Sequence, residues 1–550
     1  MTSPPPAPFD AAAATVSSAR PDSDTAQRAG LVGYDGSDSG AMGWVSVAGL
    51  LAVLTAASLA LRLGDFGAGL WMDEGISVGI ASHPLGEIPG LLRQDGSPPL
   101  YYLVLHGWMA LFGTSETATH ALSLLCSLVS IPVGLWAGWS LFGPRVGWTF
   151  AALVAFSPYL SYFATETRMY ALVVLLALLA TASFLHAFAF RRRRYLSLFI
   201  PALVLVLYTH NWGLWLAGAA LVALVPCALA ASDRRKVARD AAISFAIVGA
   251  AYLPWVPTLL YQAAHTGAPW SPRPLPRQAV SVVADVLGDP YERVLVALLL
   301  VAGPVVWALL RSSRRLGPAV AATAVMAVVT VGLGWSAAQV SPAWVPRYLA
   351  VCAPAILLLA AVGLSLAGTR GVVALALILT FWVQPLGRVS GLRPRGIAGQ
   401  KVSVQPVARA VAGRLGPGDL VIVMQMEEVP ALAYYLPKAL QFATAMGPVA
   451  DPGIADWRDA LARMRSSTVV GDLQPSLDQL PVGADVVLIC AQPGTGPTSL
   501  PWFALMERRC EEWRSALEAD SRLMPFQEGI DYASSAEGGR NVRGFTKIEG

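Results

Sequence analysis

The chain has 550 residues, of which 55% are hydrophobic and 13% charged, and its mean hydropathy is +0.54. A soluble domain carries about a quarter charged residues, so this deficit excludes an ordinary soluble enzyme and points to lipid as the solvent. The net charge of +4 is small, and no stripe of basic and aromatic residues suggests nucleic acid. Of the five cysteines, Cys126, Cys227 and Cys352 lie in apolar runs and read as small core residues. No CxxC or Cys/His zinc spacing occurs.

Residues 1–42 are rich in Pro, Ala, Ser and Asp. They lack an early apolar core and a cleavage pattern, and read as a disordered cytoplasmic tail rather than a signal peptide. From 43 to 387 the chain is a series of apolar runs. Taking ~20 residues as a span, about eleven are present: 43–63, 117–141, 146–162, 168–190, 195–209, 212–231, 241–261, 291–310, 318–338, 348–367 and 371–387. With the N-terminus inside, the inner loops hold Arg145, Arg191–Arg194, Arg234, Arg235, Lys236, Arg239, Arg311, Arg314, Arg315 and Arg370, and these outnumber Arg93, Arg168, Arg273, Arg277 and Arg347 outside. The excess of inner positive charge predicts a cytoplasmic N-terminus and, after the last span, an extracytoplasmic C-terminus.

The first outer loop, from Asp65 to about Glu116, follows. Its acidic pair Asp73-Glu74 comes just after Trp71. The pair is read two ways: as a helix cap, because acids favour helix N-termini, or as the acid of a site. The stretches His83–Gln94 and Pro99–Phe112 suit helices lying in the interface plane, with Tyr101, Tyr102, His106 and Trp108 at headgroup depth. Next comes Glu166-Thr-Arg168-Met-Tyr170 at an outer hairpin, either a local ion pair or part of a site. Tyr208-Thr-His210-Asn-Trp212 offers a histidine that is a ligand, a donor or a satisfied interfacial residue. Arg273 and Arg277 sit in a Pro-rich loop. Pro346-Arg347-Tyr348 opens a later span, and its guanidinium is either a snorkelling group or a phosphate clamp. Ionisable groups gathered at one membrane face indicate a site there.

Residues 388–550 are more charged. Strand-like runs at Leu420–Met424 and Asp485–Cys490 alternate with helix-like stretches at Val404–Leu415, Asp456–Met464 and Trp502–Leu517, predicting a small extracytoplasmic α/β domain. Gly494-Thr495-Gly496 is too short a glycine motif to assign. In an outer domain Cys490 and Cys510 are free to pair, and the sequence leaves that open.

The ordered set WMDE (71–74), SPPLYYLVLHGW (97–108), TETRMYAL (165–172), YTHNWGL (208–214) and PRYL (346–349) resembles the GT-C glycosyltransferases. It looks most like bacterial glycosyltransferase family 39-like proteins, relatives of protein O-mannosyltransferases and of the lipid A aminoarabinose transferase. The tail from KVSVQPVARAVAGRLGPGDLVIV (401–423) is similar to the small outer domain of many such proteins. The resemblance implies an all-α polytopic membrane protein with a small C-terminal α/β domain, in a cell membrane. The implied activity is inverting transfer of a sugar, mannose or a related hexose or pentose, from a polyprenyl-phosphate carrier to an envelope glycan, glycolipid or protein.

By position, Asp73 matches the acid that acts as base or orients the acceptor, and Glu74 its neighbour. Glu166, Arg168 and Tyr170 match a second segment lining the site. His106, His210, Arg273, Arg347 and Tyr348 fall to substrate or carrier phosphate. In some GT-C enzymes acids at the places of Asp73 and Glu166 bind a divalent cation; in protein O-mannosyltransferases none is needed. Two other readings stay open: a transporter or flippase for a lipid-linked sugar, and a non-catalytic envelope-assembly subunit.

Overall fold

A computed structural model describes residues 43–288, 292–386, 402–491, 499–526 and 540–550. The expected tail at 1–42, the domain boundary at 388 and Gly494–Gly496 lie outside the described residues.

Every apolar run read as a span is helical. Among the described residues six helices are long and apolar enough to cross a membrane: Trp44–Arg62, Glu116–Phe142, Tyr170–Ala189, Gly213–Ala230, Arg234–His265 and Gly317–Val340. Two bent pairs raise this to 8 if each is one span. Leu196–Thr209, Ala353–Leu366 and Thr369–Leu386 are the remaining apolar helices of the expected set. Large apolar side chains such as Leu229, Leu300, Val328 and Leu377 are exposed on the outside of the bundle, where only lipid can cover them. The protein is a multi-pass membrane protein.

The expected single span 146–162 is broken. Pro144–Phe156 and Pro158–Ala164 meet at 55°, because Pro158 has no N–H to continue the ladder. The carbonyls this frees are bonded elsewhere. Ser58 Oγ donates to the Ala155 carbonyl at 2.7 Å. The buried Arg62 donates to the Val154 and Ala155 carbonyls at 3.3 Å each and to Ser127 Oγ at 2.9 Å. The break also positions Arg347: Tyr159, in the short second helix, donates to the Pro346 carbonyl at 2.8 Å and so holds the turn that carries it.

In the loop after the first helix, Met72–Ala81, Ile88–Asp95 and Leu100–Phe112 are helical; Ile88–Asp95 replaces the expected His83–Gln94. The first begins earlier because Glu74 accepts the free N–H of Trp71 at 3.1 Å, the cap that the acidic pair suggested. It ends before Pro84, which cannot extend it.

The C-terminal domain is a six-stranded sheet in the order β3-β2-β1-β4-β6-β5, with β1 Leu420–Val423, β2 Gln441–Thr444, β3 Gly447–Pro448, β4 Asp485–Ala491, β5 Leu523–Pro525 and β6 Arg540–Lys547. Central β1 runs parallel to β2 and β4. Both faces of β1 and β4 are covered, which is why they read as unbroken apolar runs. Leu420, Ile422, Val486 and Leu488 pack with Trp502 and Trp513 of helix Pro501–Ala519. Val421, Val423, Val487 and Ile489 face Val407 and Val411 of helix Gln405–Ala412 and Leu432 of helix Val429–Tyr435. A disulfide joins Cys490 to Cys510.

Helix Val429–Tyr435 continues outward to touch Met72–Ala81 of the first loop. A Cβ on Gly75 would lie 2.4 Å from Ala431 Cβ, and one on Gly79 would lie 2.1 Å from the Gly453 carbonyl. Two small residues on one helix face thus let backbones meet. Polar bonds close the same seam: Leu70 N–H donates to Tyr435 Oη at 2.7 Å, and His83 Nε2 lies 2.7 Å from Asp451 Oδ2. Overpacking a close contact of this kind costs roughly 1–3 kcal/mol. Gly75→Ala is therefore expected to lower the thermal midpoint of the detergent-purified protein. Gly90→Ala, where a Cβ would have nothing within 4 Å, serves as the control and is expected to leave it unchanged or higher.

Candidate active site

The polar segments singled out in the sequence converge on Asp73. Its Oδ2 lies 3.4 Å from Arg347 Nη2 and 4.0 Å from Arg168 Nε, and it takes no hydrogen bond although it is buried. Arg168 is fixed from behind, with Nη1 donating to the Asp73 carbonyl and to Ser77 Oγ at 3.2 Å each. Its turn is pinned to helix Glu116–Phe142 through Ser123 Oγ, which donates to the Arg168 carbonyl at 3.3 Å. Arg347 lies among aromatic rings, 5.8 Å from Trp71, 5.4 Å from Trp270 and 5.8 Å from Tyr348. Such rings favour a cation and keep it poorly hydrated.

The neighbouring acids are engaged differently. Glu74 accepts from Trp71 N at 3.1 Å, His120 Nε2 at 2.7 Å and Thr167 N at 2.7 Å. It ties the first loop to the Glu166–Arg168 turn. Glu166 Oε1 accepts from Trp71 Nε1 at 3.1 Å. Consecutive acids at 73 and 74 therefore have separate surroundings, one facing two guanidiniums and one embedded in a hydrogen-bond network.

Tyr170, His210 and Tyr348 form a row behind the arginines. The ring centroids of His210 lie 5.9 Å from Tyr170 and 4.9 Å from Tyr348. Burial, with Arg168 and Arg347 adding, pushes the His210 imidazole down to about 3, so it is neutral. Its Nδ1 accepts from Trp212 N at 3.1 Å, which leaves the proton on Nε2. His106 lies further out, its Nδ1 2.9 Å from the Ala81 carbonyl, at the C-terminal end of the acid-bearing helix. Arg273 is exposed, and among the described residues no hydrogen bond or ion pair joins it to these groups. Its loop instead supplies Trp270.

Four residues of the region were not assigned to the site from the sequence. Trp71 and Trp270 flank Arg347. Asp95 accepts from Tyr102 Oη at 3.0 Å, and desolvation holds its carboxyl above the ordinary value while Arg168 pulls it back. Glu427, from the C-terminal domain, packs beside the acid-bearing helix. Burial, with Glu428 and Asp73 adding, pushes its carboxyl up to about 8. Only Asp95 had a local signal, its place just before Ser97-Pro98-Pro99.

Among the described residues no three His, Cys, Asp or Glu side chains gather where they could hold a metal ion. Asp73 already faces two guanidiniums. This donor set does not fit a divalent cation at Asp73 and Glu166.

Among solved structures the chain is similar to ArnT from Cupriavidus metallidurans in the apo state, with a TM-score of 0.60 and 15% identity over 90% of this chain and 98% of that one. The same protein bound to undecaprenyl phosphate gives a TM-score of 0.58 and 16% identity over 90% and 98%. The chain has the GT-C fold. The Archaeoglobus fulgidus oligosaccharyltransferase in complex with Zn and sulfate is similar at a TM-score of 0.52 and 12% identity, over 80% of this chain and 67% of that one. No family model and no curated protein sequence matches the chain. In this GT-C fold the loop that carries Asp73 and the C-terminal domain are packed together, and Asp73 lies beside their seam.

Two outcomes follow for stability. Removing a buried acceptor leaves its donors unsatisfied, at roughly 1–3 kcal/mol each, so Glu74→Ala is expected to lower the unfolding midpoint and the amount of protein recovered. For Glu427 the folded value, about 8, lies above the ordinary glutamate value of 4.5. Stability from its proton is complete below the unfolded value and is lost as pH rises through the folded one. Glu427→Gln is expected to gain thermal stability over wild type at pH ~8.5 and little at pH ~4.5.

Proposed function

We propose that the protein is a membrane glycosyltransferase that takes a sugar from a polyprenyl-phosphate carrier. One observation carries this reading: a carboxylate in the first outer loop faces two arginines delivered by separate segments. Arginine suits phosphate because its planar fork donates two hydrogen bonds at once. Similarity to ArnT, which binds undecaprenyl phosphate in one of its structures, supports the carrier class.

The reaction follows from the charges. An acceptor hydroxyl approaches the anomeric carbon from the side opposite the phosphate, and its proton passes to Asp73. A bond forms from the hydroxyl oxygen to the anomeric carbon as the bond from that carbon to the phosphate oxygen breaks. The electron pair leaves with the carrier phosphate, where Arg168 and Arg347 stabilise the developing charge. The configuration inverts. Neutral His210 and the hydroxyls of Tyr170 and Tyr348 are the nearest further donors for sugar or phosphate. Glu74 and Glu166 hold Trp71 and the first loop in place. No step passes through a cation.

The proposed donor sugar is mannose or a related hexose or pentose. The acceptor class is an envelope glycan, glycolipid or protein. We place the N-terminus in the cytoplasm and the C-terminal domain outside the cell membrane, following the inner excess of arginine. The Cys490–Cys510 disulfide fits that side, since such bonds persist in oxidising compartments. A flippase would need ionisable groups along a path through the bilayer, and the charges described above gather instead at one face.

The test is sugar transfer by membranes carrying wild type or Asp73→Asn, given labelled polyprenyl-phosphate sugars and host envelope lipids. Asp73→Asn is expected to lower transfer by about 10²-fold or more while accumulating normally. Equal transfer by the two proteins refutes Asp73 as the base.

A further inference from the structure

We infer that Glu427 of the C-terminal domain holds the acceptor beside Asp73, making the acceptor site a product of both parts of the chain. This rests on the glycosyltransferase reading above.

Two pairs of consecutive acids occupy matching places in the packed helices. Met72-Asp73-Glu74 opens helix Met72–Ala81. Met426-Glu427-Glu428 forms the turn that leads into helix Val429–Tyr435. The two helices pack directly, Gly75 against Ala431. In each pair one acid is fully engaged. Glu74 has its three donors, and Glu428 is held by Arg540, whose Nη2 and Nε approach it at 2.7 and 3.0 Å. The other acid of each pair has a buried oxygen that no donor reaches. Asp73 Oδ2 and Glu427 Oε2 take no hydrogen bond. Glu427 is only 6% exposed, and the one hydrogen bond its carboxyl accepts is from its own backbone N–H.

A buried carboxyl with one oxygen left unpaired costs free energy that a methionine or leucine of similar size would avoid. Its presence beside Asp73, which adds to the rise in its proton affinity, calls for a ligand that completes it. A phosphate is the wrong partner for two acids, and the carrier phosphate belongs to Arg168 and Arg347. The carrier is a lipid and enters from the membrane, whereas Glu427 is supplied by the domain built outside the spans. The matching ligand is a hydroxyl-rich acceptor, a sugar or other polyol. A neutral carboxyl donates one hydrogen bond and accepts others, which suits a hydroxyl next to the one that reacts. Glu427 keeps its proton throughout; the acceptor's proton goes to Asp73.

The test uses the full-length protein in lipid vesicles with labelled polyprenyl-phosphate mannose, galactose or arabinose. Octyl mannoside and octyl galactoside are the acceptor probes, and transfer is scored against hydrolysis of the donor by water. Glu427→Ala is expected to raise the acceptor KM, and to lower the ratio of transfer to hydrolysis, by about tenfold, the loss of one buried hydrogen bond. The donor KM is expected to stay within about twofold. Glu427→Gln, neutral and of the same shape, is expected to restore most of the ratio. If Glu427→Ala does not accumulate, Glu427→Met, which fills the volume without a polar group, is read the same way. An unchanged ratio in the Ala or Met variant overturns the inference and leaves the glycosyltransferase reading intact. So does a parallel fall in transfer and hydrolysis that Gln does not repair, since that marks a merely structural role. A wild type that neither transfers nor hydrolyses any of these donors overturns the glycosyltransferase reading, and the inference with it.

Discussion

The arrangement depends on one close packing. Helix Met72–Ala81 is wedged between the spanning helices and the C-terminal domain, and it fits because Gly75 and Gly79 present no side chain where Ala431 and Gly453 approach. A helix of ten residues is too short to be stable alone in water. Here it is held by its capping acid, by Tyr435 at its entry and by Asp451 at its exit. Asp73 sits in its first turn, so whatever fixes the helix also fixes the carboxylate.

The second constraint is electrostatic. Arg168 and Arg347 bring two positive charges to one carboxylate, at separations of 4.0 and 3.4 Å. Neither distance is that of a tight hydrogen-bonded pair, and the Asp73 oxygen has no such bond. Compare Glu428, which Arg540 grips at 2.7 Å. A buried pair with ideal geometry holds structure together. A loosely matched cluster of one acid and two guanidiniums leaves capacity for a substrate that brings its own negative charge. Pro158 contributes at a distance, because the bend it causes puts Tyr159 where it holds the Arg347 turn.

Much of this was legible from the residues. Hydropathy located the spans, since a helix in lipid must be apolar over its length whatever it packs against. Asp73, Arg168 and Arg347 stood out as charges next to apolar runs, and the structure brings them together. Less visible were features that depend on contacts far apart in sequence. Nothing near Glu427 marks it as a neighbour of Asp73, since its burial arises from folding of the outer domain onto the first loop. Arg273 drew attention as an arginine in an outer loop, yet the useful residue of that loop is Trp270. The acidic pair marked the start of the helix at Met72, but not its packing: the glycines at 75 and 79 lower helix propensity and serve close contacts that only the fold reveals.

The central claim is that Arg168 and Arg347, beside Asp73, form the seat of a carrier phosphate. The most direct check is equilibrium binding of undecaprenyl phosphate to the purified protein, followed by tryptophan fluorescence, since Trp71 and Trp270 flank Arg347. The account predicts saturable binding by wild type, weakened about tenfold or more in Arg347→Ala through loss of a charge-assisted contact. Equal affinity in the two proteins would contradict it.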